Sequence, residues 1–521
     1  MKLPFTHISE FAKKPAIRIA GETVTYGTLD AESRLLARHL HAAGLAQRDV
    51  IAILAPNVPG FFTAAWAAQR SGLYYTPVGK HLKADEIAYQ LTDSGAKAAF
   101  VDASMAEVTR EALDQIPEAE RPRVYGFQDI EGFIPLAEAM ASGREAPEIA
   151  DIEGGDLLYT SGTTGRPKGV KRQLPLDPLG SDMRRVERMT ELFSMSEDTV
   201  FYTAAPIYHA APLRFAMTVL KMGATLVLDK KFDPVSALET LTRENVTHSQ
   251  WVPTMFVRML DLPPEERARF YQATAHVKAI HSGAPCPRPV KQAMIEWWGQ
   301  ILHEYYSGTE SVGFTHIDSP DWLRFPGSVG KPWGCKIHIL DDEMNELPIG
   351  AVGNVYFEGR SGLKYHNADD KTAEAHSPQG WATMGDIGYV NDEGFLFLSD
   401  RKKFVIISGG VNIYPYEIES VLDTHPSVRE AAVFGIPDSE FGEAVQAVVQ
   451  LHAGTAPTPD LAQELHRYVR ARIAGFKAPK WIDFADDLPR LPNGKLEKHR
   501  LKDAYRDRAE RGFAQQKHAT A

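Results

Sequence analysis

Apolar and polar positions along the first half of the chain follow two alternating rhythms. Ala31–Ala43 carries apolar residues at helical spacing, and the β-branched run Val50–Leu54 then ends at the turn-prone pair Pro56-Asn57. Phe61–Arg70 reads as a further helix and Ala98–Val101 as a further buried strand. The same alternation returns at Thr199–Ala205, Thr225–Leu228 and Val277–Ser282. Strands alternating with helices predict a mostly parallel sheet covered on its faces, hence an α/β fold. Near Ser399-Asp400-Arg401-Lys402-Lys403 the texture changes. Phe404–Ile407, Tyr416–Thr424, Val428–Ile436, Ala444–Leu451 and a helix around Leu461–Arg472 suffice for a small α+β domain of about 120 residues. The charged stretch Lys498–Arg511 reads as a solvated terminal helix. The boundary is therefore placed at 400–403, with a large domain over 1–400 and a small one over 401–521.

Composition narrows the class of protein. The chain has 521 residues, 44% of them hydrophobic, enough for a sizeable core and more than one domain. Its net charge of −11 is spread along the chain, which argues against a nucleic-acid partner. The opening MKLPFTHISEFAKK lacks the apolar core of a secretory signal. No uninterrupted apolar run reaches about 18 residues, so no membrane insertion is expected. Two cysteines, Cys286 and Cys335, are too few for a disulfide framework or a metal cluster and fit a reducing, cytoplasmic setting.

The chemistry concentrates in Leu157-Leu158-Tyr159-Thr160-Ser161-Gly162-Thr163-Thr164-Gly165-Arg166-Pro167-Lys168-Gly169. An apolar approach ends in a loop of hydroxyls and glycines closed by a lysine. Glycines let backbone N–H groups come close to an anion, hydroxyls add donors, and Lys168 adds charge. Such a loop suits a polyphosphate. The spacing is not G-x-x-x-x-G-K-[ST], because Gly169 follows Lys168, and the chain holds no G-x-G-x-x-G.

This segment resembles the phosphate-binding signature of the adenylate-forming superfamily, which contains acyl-CoA synthetases, peptide-synthetase adenylation domains and luciferases. Further resemblances follow in the same order along nearly the whole chain. Ser282-Gly283-Ala284-Pro285 resembles the adenine-side turn, and Tyr305-Tyr306-Ser307-Gly308-Thr309-Glu310 the Tyr-Gly-x-Thr-Glu motif, with Ser307 where glycine is usual. Trp381-Ala382-Thr383-Met384-Gly385-Asp386 resembles Trp-x-x-Thr-Gly-Asp, with Met384 in place of threonine. Asp400–Lys403 with Ser408-Gly409-Gly410-Val411-Asn412 resembles the hinge motif, with Phe404 where an acidic residue is common. Pro489-Arg490-Leu491-Pro492-Asn493-Gly494-Lys495 resembles the loop of the catalytic lysine.

The resemblance implies a large adenylate-forming domain of layered sheets and helices, plus a small mobile α+β domain that swings near Lys403. It implies that Thr160, Ser161, Gly162, Thr163, Thr164, Gly165 and Lys168 hold the ATP phosphates. Thr160 and Glu310 would hold Mg2+, a hard cation that prefers oxygen ligands. Gly283, Ala284, Pro285 and Tyr306 would flank the adenine, Thr309 would meet the α-phosphate, and Asp386 with Arg401 would hold the ribose. Lys495 would bridge carboxylate and α-phosphate, while Gly409 and Gly410 would let the CoA pantetheine pass. His209, in Pro206-Ile207-Tyr208-His209-Ala210-Ala211-Pro212, would stand at the carboxylate end of the acyl pocket.

The implied activity is conversion of a carboxylic acid, ATP and CoA to acyl-CoA, AMP and pyrophosphate through an acyl-adenylate, by a monomer or homodimer. Ala210, Ala211, Phe215, Trp251, Val252 and Met255 favour a hydrophobic acid. Fatty, aryl and alicyclic acids all remain open, as does a carrier-protein acceptor. A luciferase-like oxidase is the more distant alternative.

Overall fold

The computed structural model describes residues 2–160, 167–359, 362–401, 404–409, 411–438, 441–490 and 496–505. The chain divides into two compact units. One comprises Met1–His281, Thr309–Ser311 and Gly362–Glu374; the other comprises Ser282–Gly308, Val312–Ser361 and Ala375–Ala521.

In the first unit one sheet runs in the order Ile134–Pro135, Arg123–Gly126, Ala96–Val101, Val50–Leu54, Tyr74–Val78, Gly155–Thr160, Lys168–Lys171. Its strands are parallel except for the last pair. Every residue of Val50–Leu54 is buried, which explains why that strand is an unbroken apolar run rather than an alternating one. Helices carry the chain back between strands. The helix Ala84–Ser94 stops at Gly95, whose φ of +63° is the left-handed cap that glycine adopts without strain. The next residue already begins Ala96–Val101. The helix Pro59–Gln69 has Phe61 through Gln69 buried, so it is apolar on every side rather than amphipathic.

A second sheet of this unit has the order Lys278–His281, His248–Trp251, Val200–Thr203, Thr225–Leu228, Pro15–Ile19, Glu22–Thr25, parallel apart from the final hairpin. The α/β rhythm of the sequence thus becomes two covered, mainly parallel sheets.

The second unit contains a fully antiparallel stretch that the apolar rhythm does not announce. Its order is Lys336–Leu340, Gly353–Glu358, Ala382–Val390, Leu396–Arg401, Ser328–Pro332, Thr315–Asp318, Leu302–Tyr306. Several of these strands are only partly buried, so they lack the continuous apolar signature of the parallel ones.

Downstream, Val428–Asp438 and Gly442–Leu451 form a long hairpin, and Gly442–Leu451 also pairs with Ile406–Ser408 and Trp481–Phe484. The helices Pro415–Leu422 and Pro459–Arg470 close its core around Ile418, Val433, Val449 and Leu465. The Thr458 hydroxyl caps the second helix by accepting from Leu461 N at 3.2 Å.

The charged tail departs from the expected solvated helix. Residues 498–505 are helical, but Leu501 and Tyr505 pack against Phe434, Val448 and Leu488, and the Lys498 side chain is only 12% exposed. Charge density hid an apolar stripe.

Candidate active site

The polyphosphate loop is carried by a β-hairpin. Gly155–Thr160 pairs antiparallel with Lys168–Lys171 in a register that sets Thr160 opposite Lys168. Leu157, Leu158 and Val170 are buried and hold this hairpin to the core. Ser161, Gly162, Thr163, Thr164 and Gly165 lie outside the described residues, but the two residues at the ends of the segment are ladder partners. Gly169 sits in tight packing: a Cβ there would stand 3.2 Å from His366 Cβ and 3.3 Å from Leu157 and Tyr159. Its carbonyl accepts from His366 N at 2.7 Å. The Tyr159 hydroxyl donates to Asp93 at 2.6 Å, and burial followed by that carboxylate raises the phenol pKa.

One aromatic ring joins the lysine to the expected metal ligand. Lys168 Nζ lies 5.0 Å from the centroid of the Tyr365 ring, and the Tyr365 hydroxyl donates to Glu310 Oε1 at 3.0 Å. Lys168 and Glu310 thus meet at Tyr365 from segments about 150 residues apart in sequence, with Thr160 opposite Lys168 in the ladder.

Arg214 supports the Glu310 segment from the other side. Its Nη1 donates to the Thr309 carbonyl at 3.0 Å and to Ser311 Oγ at 2.9 Å. Its Nε and Nη2 donate to Asp156 Oδ2 at 3.0 and 2.7 Å, while Arg185 holds Asp156 Oδ1 at 3.0 Å. Burial alone would raise the Asp156 pKa. Arg214 and Arg185 outweigh it and hold the carboxyl well below the usual carboxylate range. Arg172, nearby in the same field, is pulled down to about 9 by burial and by repulsion from Arg185 and Arg214.

In the second unit, Tyr306 ends the strand Leu302–Tyr306 and its hydroxyl donates to Asp386 Oδ2. Asp386 is buried and opposes Arg401 in the ladder between Ala382–Val390 and Leu396–Arg401. Of the three expected adenosine residues, Asp386 and Arg401 lie on neighbouring strands, and Tyr306, on a strand further along the same sheet, reaches Asp386 through its hydroxyl.

The departures from the usual motifs have local explanations. Ser307, in place of glycine, ties its hydroxyl to the Gly313 carbonyl at 2.7 Å. Met384 precedes Gly385, which retains the left-handed φ of +80°. Phe404 lies beneath the Lys498 ammonium, 5.7 Å from ring centroid to Nζ. Gly283 turns at φ +90° with Pro285 exposed and Ala284 half-buried. Gly409 has φ +57°, its N–H donates to the Phe441 carbonyl at 2.8 Å, and a Cβ would meet the Phe441 ring at 3.1 Å.

His209 sits at the N-cap of the helix Ala210–Met222, with its ring 4.7 Å from that of Tyr208. Lys495 and Gly410 lie outside the described residues. Pro489 and Arg490, before the lysine, are bridged to Glu497 and Leu496 after it, and Arg490 pairs with Glu430.

Sequence reading passed over Tyr365, Arg214 and Asp156. A signal existed for two of them: Asp156 is a charge directly beside the apolar approach Leu157-Leu158, and Arg214 interrupts an apolar helix. A buried charge of this kind needs a partner.

The donor set bears on the metal. Among the described residues no group of three or more His, Cys, Asp or Glu side chains could cage an ion. One carboxylate and one hydroxyl, both hard oxygen donors, fit Mg2+, which keeps waters and phosphate oxygens for its other positions.

A fold of covered parallel sheets carrying a hydroxyl- and glycine-rich loop, a lysine and a carboxylate on one ring defines a nucleotide-binding, adenylate-forming enzyme. The chain belongs to the AMP-binding enzyme family, whose profile matches residues 5–364, and the AMP-binding enzyme C-terminal domain matches residues 417–495. It is 31% identical over 517 residues to the fatty acid–[acyl-carrier-protein] ligase ScoC of Streptomyces coeruleorubidus, covering 96% of this chain and 95% of that one. It is 32% identical to the 2-succinylbenzoate–CoA ligase of Geobacillus kaustophilus, over 94% of each chain. Among solved structures, ATP-bound MatB from Rhodopseudomonas palustris superposes with a TM-score of 0.83 at 29% identity, covering 96% of this chain and 98% of that one. Among the described residues, no helix is long and apolar enough to cross a membrane.

Proposed function

We propose that the chain is an ATP-dependent acid:CoA ligase acting on a hydrophobic carboxylic acid. The observation that carries this is the meeting of Lys168 and Glu310 at Tyr365, with Thr160 opposite Lys168, within an adenylate-forming fold. In the first step a carboxylate oxygen bonds to the α-phosphorus of ATP, the bond to the bridging oxygen breaks, and pyrophosphate leaves. Two anions must meet, so positive charge and positioning dominate the barrier. Lys168 holds the departing phosphates and Thr309 faces the α-phosphate. Thr160 and Glu310 hold Mg2+, which screens the phosphate charge when bound. Lys495 bridges carboxylate and α-phosphate, while Asp386, Arg401 and Tyr306 hold the nucleoside, with Gly283, Ala284 and Pro285 at the adenine edge.

In the second step the CoA sulfur bonds to the acyl carbon, the carbon–oxygen bond to AMP breaks, and the thiol proton passes to solvent. Gly409 and Gly410 leave the pantetheine its path. Residues 401–521 act as the small domain, turning about 400–403 between the two steps. A cytoplasmic monomer or homodimer completes the reading.

Buried Phe215, Trp251, Met255 and the Tyr208–His209 pair support an apolar acid. Relatives named for ferulate, 2-succinylbenzoate and fatty acids support the same class. A carrier-protein acceptor is the second reading, supported by the resemblance to an acyl-carrier-protein ligase.

The test is CoA-dependent AMP release from Mg2+ and ATP across fatty, aryl and alicyclic acids. Thioester and AMP appearing together for one group supports the ligase and names its substrate class. Pyrophosphate exchange without CoA-dependent AMP release favours the carrier protein. Silence across the panel overturns the hydrophobic-acid assignment.

A further inference from the structure

We infer that Arg214 is a positioning residue for the metal-binding carboxylate, fastening the Thr309–Ser311 segment to the strand that delivers the phosphate loop. The inference rests on the reading of Glu310 as a Mg2+ ligand and deepens it. Arg214 uses its fork on two targets that the sequence separates by about 150 residues. On one side it grips Asp156 Oδ2 through Nε and Nη2 at 3.0 and 2.7 Å. Asp156 lies four residues before Thr160 on the strand Gly155–Thr160. On the other side Nη1 takes the Thr309 carbonyl and Ser311 Oγ at 3.0 and 2.9 Å. Those acceptors flank Glu310.

Backbone conformation gives this grip its purpose. Ser311 has φ +52°, in the left-handed region that a residue with a side chain enters at a cost. Such a conformation persists only when surrounding contacts over-determine it, and the Arg214 fork supplies two of them. The guanidinium is 12% exposed and its Asp156 partner 6% exposed, so the joint is buried and stiff. Arg185 braces the other oxygen of Asp156, which prevents the carboxylate from turning away. The Tyr365 hydroxyl then orients Glu310 Oε1 itself at 3.0 Å. Arg214 sets where the carboxylate stands, and Tyr365 sets how it points. Thr160 and Glu310 thereby keep one spacing although they come from distant parts of the chain.

The experiment measures Mn2+ binding by electron paramagnetic resonance, with a non-hydrolysable ATP analogue present, for the full chain. Arg214→Lys keeps a cation beside Asp156 but loses the planar fork. The dissociation constant for Mn2+ is expected to rise about tenfold or more, as when a ligand's supporting hydrogen bonds are removed, with the melting transition close to that of the parent. Arg214→Met should weaken Mn2+ further. An unchanged Mn2+ affinity in folded Arg214→Lys overturns the inference. Should that variant fail to fold, Ser311→Ala removes one acceptor without touching Asp156. A rise of about threefold supports the assignment and no change refutes it. Glu310→Gln is the benchmark. If it leaves Mn2+ affinity unchanged, the metal reading itself fails; if it weakens Mn2+ while Arg214→Lys does not, only the positioning role fails.

Discussion

Replacing Asp156 by alanine should be among the most destabilising changes available in either hairpin strand at the phosphate loop. The Asp156 carboxylate is 6% exposed and accepts three charge-assisted bonds, two from Arg214 and one from Arg185. Removing it leaves two guanidiniums facing each other in a site that water barely reaches. Loss of one partner from a buried pair costs about 3–5 kcal/mol. Arg185 is 27% exposed and turns partly to solvent, which places the expected loss near the lower end of that range, about 3 kcal/mol. Asp156→Asn keeps the shape and one acceptor and should lose about half as much.

Asp182 is the internal control. Burial would raise its pKa, but its bonds to Arg184 outweigh that and hold it at about 2, and those side chains are 42% and 75% exposed. Asp182→Ala should therefore lose less than about 1 kcal/mol. Urea unfolding followed by tryptophan fluorescence at pH 7 and at falling pH makes the comparison. The folded-state pKa of Asp156 lies below its ordinary 3.8, so its contribution is complete above that value and disappears as pH falls below it. The parent and Asp156→Asn should converge there. A loss for Asp156→Ala no larger than that for Asp182→Ala would refute the argument that burial, rather than pairing alone, sets the energy.

Three further outcomes are expected. Lys495→Ala should nearly abolish acyl-AMP formation, measured by pyrophosphate exchange, while thioester formation from supplied acyl-AMP falls much less; equal losses in the two half-reactions contradict that division. Tyr365→Phe removes the donor to Glu310 and should weaken Mn2+ binding by about 1 kcal/mol, roughly fivefold, a difference that calorimetry in the presence of nucleotide would resolve. Lys498→Met strands Glu419, 2.7 Å away, and Asp400, 4.0 Å away, at a cost of about 3–5 kcal/mol. Burial already raises the Glu419 pKa and Lys498 moderates that rise. Without the lysine Glu419 shifts further up, so the variant should lose more stability at pH 8 than at pH 5. An equal loss at both pH values would show that the charge of Lys498 is not what matters there.

Local order was legible in the residues because local causes produce it. Val50–Leu54 is a strand buried on both faces, and such strands are written as continuous apolar runs. The hydroxyl-glycine-lysine loop was visible because an anion needs those groups close together in sequence. The antiparallel strands between Leu302 and Arg401 were not, since partly buried strands share the composition of ordinary surface. The charged tail was misread because helical periodicity places Leu501 and Tyr505 on one face, where Phe434 covers them.

By itself the sequence determined the alternation of strand and helix, the chemistry of the phosphate loop and the order of the motifs that place the chain among adenylate-forming enzymes. Tertiary structure alone decided which charges meet. Asp156 precedes Arg214 by 58 residues, and Thr309 follows Arg214 by 95. Tyr365 stands 55 residues beyond the Glu310 that it orients. No local rule pairs residues at such separations. The sheets bring them together because burying apolar strands is strongly favourable, and the arginine fork then joins Asp156 to the Thr309–Ser311 segment.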